Sequence, residues 1–158
     1  MSLLGGIDLG GTKIQAVVVD DRHEVLGEVR VPTPTSGGPP DVVAAIVGAL
    51  REAAAAAGTE PSGLAAVGVG SPGAIDEQEG TVSSARNLPG WEGTFAMRAA
   101  LERGLGAPVA LGNDVNVATD AEFELGAASE LRSLLGVFWG TGVGGGIILD
   151  GRPWTGRG

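Results

Sequence analysis

The sequence predicts an α/β fold on a mixed sheet, three antiparallel strands followed by parallel ones, with helices on both faces. Three observations carry this. The opening stretch Gly6-Ile7-Asp8-Leu9-Gly10-Gly11-Thr12-Lys13, followed by the β-branched run to Asp20, reads as strand, tight turn, strand, and a third strand follows over 23–31. Beyond it, helical and short apolar segments alternate, as parallel strands with crossover helices require. A second glycine hairpin, Leu135 to Asp150, closes the chain.

Taken in order, the third strand has alternating Val25, Val29 and Val31, and Pro32 to Pro40 is a Pro/Gly/Ser/Thr loop. Asp41 is placed to cap a helix with Val42, Ile46, Leu50, Ala53 and Ala57 on one face and Gly58 as its stop. Leu64 to Gly70 reads as a strand apolar on both faces, ending in the sharp turn Ser71-Pro72-Gly73. A polar excursion over Asp76 to Gly80 precedes a strand from Thr81 to Ala85, then Asn87-Leu88-Pro89-Gly90-Trp91. Thr94 is expected to cap a helix carrying Phe95, Met97, Leu101 and Leu105. Pro108 to Leu111 is a buried strand, followed by a helix over about 115–125 with Val117, Ala121 and Leu125 facing inward. Leu134 to Trp139 and Gly145 to Leu149 form the last hairpin.

The 158 residues suffice for one domain with a sizeable core. A net charge of −9 argues against a nucleic-acid groove or an anionic membrane surface, and no apolar run reaches membrane-spanning length. The absence of cysteine removes disulfides and thiolate metal sites, which fits a reducing cytoplasm. His23, the only histidine, is flanked by charge at a turn and reads as a solvated surface residue.

In an acidic chain, anion binding must come from local groups. Gly10 and Gly11 let an anion approach the N–H groups of their turn, Thr12 adds a hydroxyl, and Lys13, the only lysine, adds charge. Asp8, at the end of the first strand, could hold Mg²⁺ directly or through water. Alone, such a stretch is more simply a glycine-rich hairpin. The downstream stretch Gly140-Thr141-Gly142-Val143-Gly144-Gly145-Gly146-Ile147-Ile148-Leu149-Asp150 repeats the shape, with Gly140 on Gly10 and Asp150 on Asp20 in a gapless overlay. Phe138 then replaces Asp8 and Val143 replaces Lys13. The two hairpins suggest a duplicated unit whose turns face one polyanion.

Together, GIDLGGTK, GSPG (70–73), NLPGW (87–91), GNDVN (112–116) and GTGVGGGII (140–148) closely resemble the ROK family of sugar kinases, with bacterial glucokinases the nearest branch. The resemblance runs from Ile7 to the C-terminus and implies an actin-like ATPase domain, ribonuclease H-like in layout. It implies a hexose kinase, with glucose the expected sugar, using ATP and Mg²⁺. In this reading Asp8, Gly10, Gly11, Thr12, Lys13, Thr141 and Gly142 bind the nucleotide phosphates, with Asp8 toward the metal. Gly73, Asn87, Asn113 and Asp114 bind the sugar, and Asp114 is the general base. A carboxylate within reach of a sugar hydroxyl can take its proton as the bond to phosphorus forms. Asp114 could instead be simply a helix N-cap, and Asn87 a turn residue.

Trp91 is expected to pack on its own loop rather than stack on a sugar. Asn116 is expected to face backbone, while Glu122, Glu124, Arg152 and Arg157 read as solvated charges; Trp139 and Trp154 carry no functional signal. ROK kinases continue with a Glu-x-Gly-His sugar segment, often a cysteine-rich zinc loop, and the adenosine pocket. The expectation is therefore the N-terminal half of such a kinase, with no zinc site and inactive alone. Its domains are 1–131 and a hairpin, 132–158, opening a truncated second domain. Uncovered strand edges there favour pairing as a homodimer. Two other readings stand beside the kinase: a self-assembling half-domain, and a sugar-responsive regulator. The choice of hexose, and of ATP or polyphosphate as donor, stays open.

Overall fold

The computed structural model describes residues 2–140, 142–154 and 156. The chain divides into two compact units, Met1–Gly112 and Asn113–Gly158.

The first unit opens with three antiparallel strands, β1 (Leu4–Leu9), β2 (Lys13–Val19) and β3 (Val25–Pro32). Helix α1 (Pro39–Ala56) leads through a short 3-10 turn at Pro61–Gly63 to β4 (Ala66–Ser71), which lies parallel to β1. Three short strands, β5 (Ala74–Asp76), β6 (Thr81–Ser83) and β7 (Thr94–Phe95), make a small antiparallel sheet of their own. Helix α2 (Met97–Leu105) and strand β8 (Val109–Asn113) follow, giving a main sheet of order β3-β2-β1-β4-β8.

Alternation decides which way this sheet faces. Ile7, Leu9, Ile14, Ala16, Val18, Val67 and Val69 all turn to the side covered by α1 and are buried. The α1 stripe behaves as its spacing predicts, with Val42, Ile46, Leu50 and Ala53 fully buried. Each such aliphatic side chain larger than alanine contributes about 1.5–3 kcal/mol. Helix α2 packs on α1, where Arg51 donates to the Gly104 carbonyl at 3.0 Å. On the opposite face Gln15 donates to Glu28 at 2.7 Å and accepts from Arg30 at 2.8 Å.

Two helix starts differ from expectation. The cap of α1 is Gly38, not Asp41; Asp41 sits in the first turn and its carboxylate accepts from the Gly38 N–H at 3.1 Å. Pro39 and Pro40 can open a helix because their missing N–H groups would be unpaired there anyway. Likewise α2 starts at Met97 after Ala96, because Thr94 and Phe95 pair with β6 instead.

The second unit holds α3 (Asp114–Glu124) and a sheet of β9 (Leu134–Trp139), β10 (Val143–Leu149) and β11 (Arg152–Pro153), ordered β11-β10-β9. Where the sequence suggests a boundary after 131, contacts group α3 with this hairpin. The expected inward stripe is corrected: Val117 is 43% and Leu125 62% exposed, while Thr119 is buried. Glycines on the facing strands explain it. A Cβ on Gly146 would lie 2.4 Å from the Thr119 hydroxyl, and one on Gly144 2.8 Å from Val115. The helix rests directly on hairpin backbone through Val115 and Thr119, so a small residue is favoured at the seam.

The echo between the hairpins is also corrected by one residue. In the first, Leu9 pairs with Ile14; in the second, Trp139 pairs with Val143 rather than with Gly144. The later turn is one residue shorter, which reverses the faces of β9 relative to β1. Leu9 is buried, whereas Trp139 is 87% exposed.

Candidate functional site

The turn joining β1 to β2 is held from within and from β3. The Gly10 N–H donates to the Lys13 carbonyl at 2.9 Å, closing it. The Thr33 hydroxyl donates to the Gly10 carbonyl at 2.7 Å, and the Thr33 N–H donates to the Thr12 carbonyl at 3.1 Å. The N–H groups of Gly11 and Thr12 donate to no backbone or side-chain acceptor among the described residues, and both residues are exposed. These two amides, without an acceptor among the described residues, lie beside the exposed Lys13.

Asp8 is exposed one turn of pleat earlier, opposite Gln15. Strand alternation puts Asp8 and Lys13 on the same face of the sheet, the one opposite α1. No group of three or more metal-ligating side chains occurs among the described residues. A single exposed carboxylate suits Mg²⁺, which keeps several waters and is bound through one or two carboxylates plus substrate phosphates.

The structure brings Asn87 to this turn. A Cβ on Gly11 would lie 3.0 Å from the Asn87 carbonyl oxygen and 3.2 Å from its Cβ, so the two backbones touch because Gly11 has no side chain. The Asn87 loop is anchored by Leu88, which is buried and whose N–H donates to the Ala85 carbonyl at 3.0 Å. Asn87 itself is exposed. Gly73, in the turn between β4 and β5, has φ of 101°, and a Cβ there would lie 2.5 Å from the Ser83 carbonyl. Only glycine fits. Because β1 and β4 are parallel neighbours, the Gly10–Lys13 turn and the Ser71–Gly73 turn leave the same end of the sheet. Ligands of open α/β sheets gather at such an end.

Trp91 packs on its own loop, as expected, donating from Nε1 to the Val82 carbonyl at 3.2 Å and meeting Phe95 edge-on at 5.8 Å. His23 is exposed in a turn with φ of 62°.

Asn113 and Asp114 belong to the second unit. The cap of α3 is Asn113, whose Oδ1 accepts from the Asn116 backbone N–H at 3.4 Å. Asp114 is the first helical residue, half-buried, with Oδ1 accepting from the Val115 N–H at 2.9 Å. The alternative of Asp114 as the cap is therefore excluded. Its carboxylate lies in the first turn of α3, beside the backbone N–H groups that open the helix.

In the closing hairpin the Gly142 carbonyl accepts from the Gly140 N–H at 2.8 Å, while Thr141 lies outside the described residues. Sequence reasoning passed over Thr33, read as part of a loop; its signal was a threonine between two prolines at a strand end, a place that buries it.

The chain is similar to known proteins across its whole length. It is 38% identical over 152 residues to the glucokinase of Streptomyces coelicolor, covering 96% of this chain and 45% of that protein. Among solved structures, a ROK hexokinase from Thermus thermophilus matches with a TM-score of 0.82 and 40% identity, covering 98% of this chain and 49% of the other. A ROK family glucokinase from Streptomyces griseus, in complex with glucose and AMPPNP, matches with a TM-score of 0.86 and 35% identity, covering 99% and 47%. This chain thus spans about half the length of the curated relatives it matches. The fold is that of an actin-like ATPase domain. The sequence pattern of the ROK family matches residues 4–158, and the chain belongs to the ROK family.

Proposed function

We propose that this chain carries the phosphate turn and the sugar-binding loops of an ATP-dependent hexose kinase, with glucose as the sugar. The observation that carries the reading is the contact of Gly11 with Asn87, which sets two amides without a protein acceptor among the described residues, and a lysine, beside an exposed asparagine loop. The Streptomyces griseus relative, bound to glucose and AMPPNP, supports both ligand classes.

In this reading the Gly11 and Thr12 N–H groups, the Thr12 hydroxyl and Lys13 hold phosphate oxygens, with Gly10 shaping the turn and Thr141 and Gly142 as further phosphate contacts. Asp8 takes Mg²⁺ directly or through water, and the cation offsets phosphate charge. Asn87 and Asn113 bind sugar hydroxyls, and Gly73 lets backbone approach the ring. Asp114 accepts the proton of the attacking hydroxyl while its oxygen bonds to the γ-phosphorus. The bond from that phosphorus to the bridging oxygen breaks, leaving ADP and a sugar phosphate. The part of the relatives that this chain does not span supplies the rest of the nucleotide site.

Calorimetric titration with glucose tests the reading. Glucose binds, and Asn87→Ala weakens it by about tenfold, the loss of one to two hydrogen bonds. Phosphoryl transfer is measured with the chain alone and with the complementary half of the Streptomyces coelicolor glucokinase added. In whichever arm is active, Asp114→Asn leaves glucose affinity intact and abolishes transfer. Unchanged turnover in that variant refutes the base assignment, and no glucose binding at all refutes the sugar site.

The reading includes a cytoplasmic homodimer. Leu135, Val137, Trp139, Val143 and Leu149 are all exposed on one face of the closing hairpin, an apolar patch of the kind that marks an interaction surface. No helix of the described residues is long and apolar enough to cross a membrane. Sedimentation of Val137→Lys against the parent chain distinguishes a dimer through this face from a monomer.

A further inference from the structure

We propose that Thr33 is the positioning residue of the phosphate turn, its hydroxyl aiming the Gly11 amide at the anion. The inference rests on the reading that Gly10–Lys13 takes a polyphosphate. Thr33 is 3% exposed, so its hydroxyl must be paired within the fold, and it is spent on the Gly10 carbonyl at 2.7 Å. That carbonyl belongs to the same planar trans peptide as the Gly11 N–H, and the two point in opposite directions. Holding the carbonyl inward toward Thr33 therefore turns the Gly11 N–H outward.

The peptide in question lies between two glycines, Gly10 and Gly11, which have no Cβ to resist its rotation. The Gly10 N–H bond to the Lys13 carbonyl closes the turn but acts on the peptide before it. The Thr33 N–H bond to the Thr12 carbonyl acts two peptides later. Among the hydrogen bonds of the described residues, only that of the hydroxyl acts on the Gly10–Gly11 plane itself, and the packing of Gly11 on Asn87 fixes no carbonyl direction. An amide fixed before the anion arrives costs no ordering when it binds.

Magnesium tripolyphosphate, which carries phosphates without an adenosine, is the probe, titrated calorimetrically into the chain. Thr33→Val, similar in shape but without a donor, weakens binding by about five- to tenfold, the effect of one hydrogen bond. Thr33→Ser keeps the hydroxyl and stays within about twofold of the parent. Thr35→Val, at an exposed position in the same loop, leaves affinity unchanged. The Gly11 amide resonance reports in parallel, broadening or shifting in Thr33→Val and not in Thr33→Ser. If Thr33→Val does not fold, Thr33→Cys, a weak donor, makes the same comparison. Equal binding by parent and Thr33→Val overturns the role of Thr33 alone. A parent chain that takes no magnesium tripolyphosphate overturns the phosphate reading beneath it.

Discussion

Replacing Gly11 with alanine tests whether the phosphate turn and the Asn87 loop act as one site. The backbone there is outside the left-handed region, so alanine is conformationally acceptable and only space is at issue. The new methyl would sit 3.0 Å from the Asn87 carbonyl oxygen and 3.2 Å from its Cβ, where ordinary contact is nearer 3.4–4 Å. One side must give by a few tenths of an ångström. The turn is pinned by Thr33 and by its own closing bond, whereas Asn87 and Arg86 before it are exposed, so the Asn87 loop yields. Overpacking of a well-filled core costs typically 1–3 kcal/mol, and at this exposed contact the stability loss is below about 1 kcal/mol. The effect falls instead on the ligand. A displaced Asn87 amide loses a hydrogen bond worth about 1 kcal/mol, which lowers glucose affinity by about fivefold. Calorimetry with glucose, alongside thermal unfolding, reads both quantities. Gly68→Ala is the control: its Cβ meets nothing within 4 Å, and removing chain entropy from a glycine leaves stability equal or raised by up to about 1 kcal/mol. Glucose affinity unchanged in Gly11→Ala, with the resonances of residues 86–88 unmoved, would refute the coupling of turn and loop.

Other perturbations address separate links. Gly146→Ala drives a methyl to 2.4 Å from the Thr119 hydroxyl and should lift the closing hairpin from α3, destabilising the second unit by about 1–3 kcal/mol; limited proteolysis within 126–133 accelerates if so. Asn113→Ala removes the α3 cap and costs about 1 kcal/mol in thermal unfolding. Asn113→Ser keeps the cap and lacks the amide, so stability holds while glucose affinity falls. Gly73→Ala meets both a φ of 101° and a carbonyl at 2.5 Å, and should lower stability by more than about 1 kcal/mol by chemical denaturation.

The fold was legible wherever a residue's own pattern fixed its environment. Alternation marked β1 to β3, the 3.6-residue stripe from Val42 to Ala53 marked α1, and the glycine turns fell where they were placed. What escaped was set by partners distant in sequence. Phe95 looks like the first apolar residue of a helix, yet its backbone pairs with Val82. Val117 and Leu125 look like a core stripe, yet the surface that α3 meets is glycine backbone and takes Thr119. At the candidate site, the proposed residues are chosen by type and spacing, Asp8, Lys13, Asn87, Asn113 and Asp114 among them. Thr33 is not, because its importance lies in which carbonyl it meets 23 residues away.

The two hairpins show how far a repeated motif can be trusted. A gapless overlay makes Trp139 the counterpart of Leu9, and by that rule both would be core. The observed register gives the later turn three residues between its closing pair against four in the first. One residue removed from a turn reverses every side chain of the strand on one side of it, so Phe138 takes the inward direction of Leu9 and Val137 stands where Asp8 does. The later hairpin therefore has Val137 at the position of Asp8 and Val143 at that of Lys13. Any phosphate contact proposed for it therefore comes without the charge that Lys13 gives the first turn. Leu135, Val137 and Trp139 of β9 share their exposed face with Val143 and Leu149 of β10. The two hairpins thus differ where the sequences look alike: the first turn carries an exposed lysine beside exposed glycine and threonine, and the second presents an exposed apolar face.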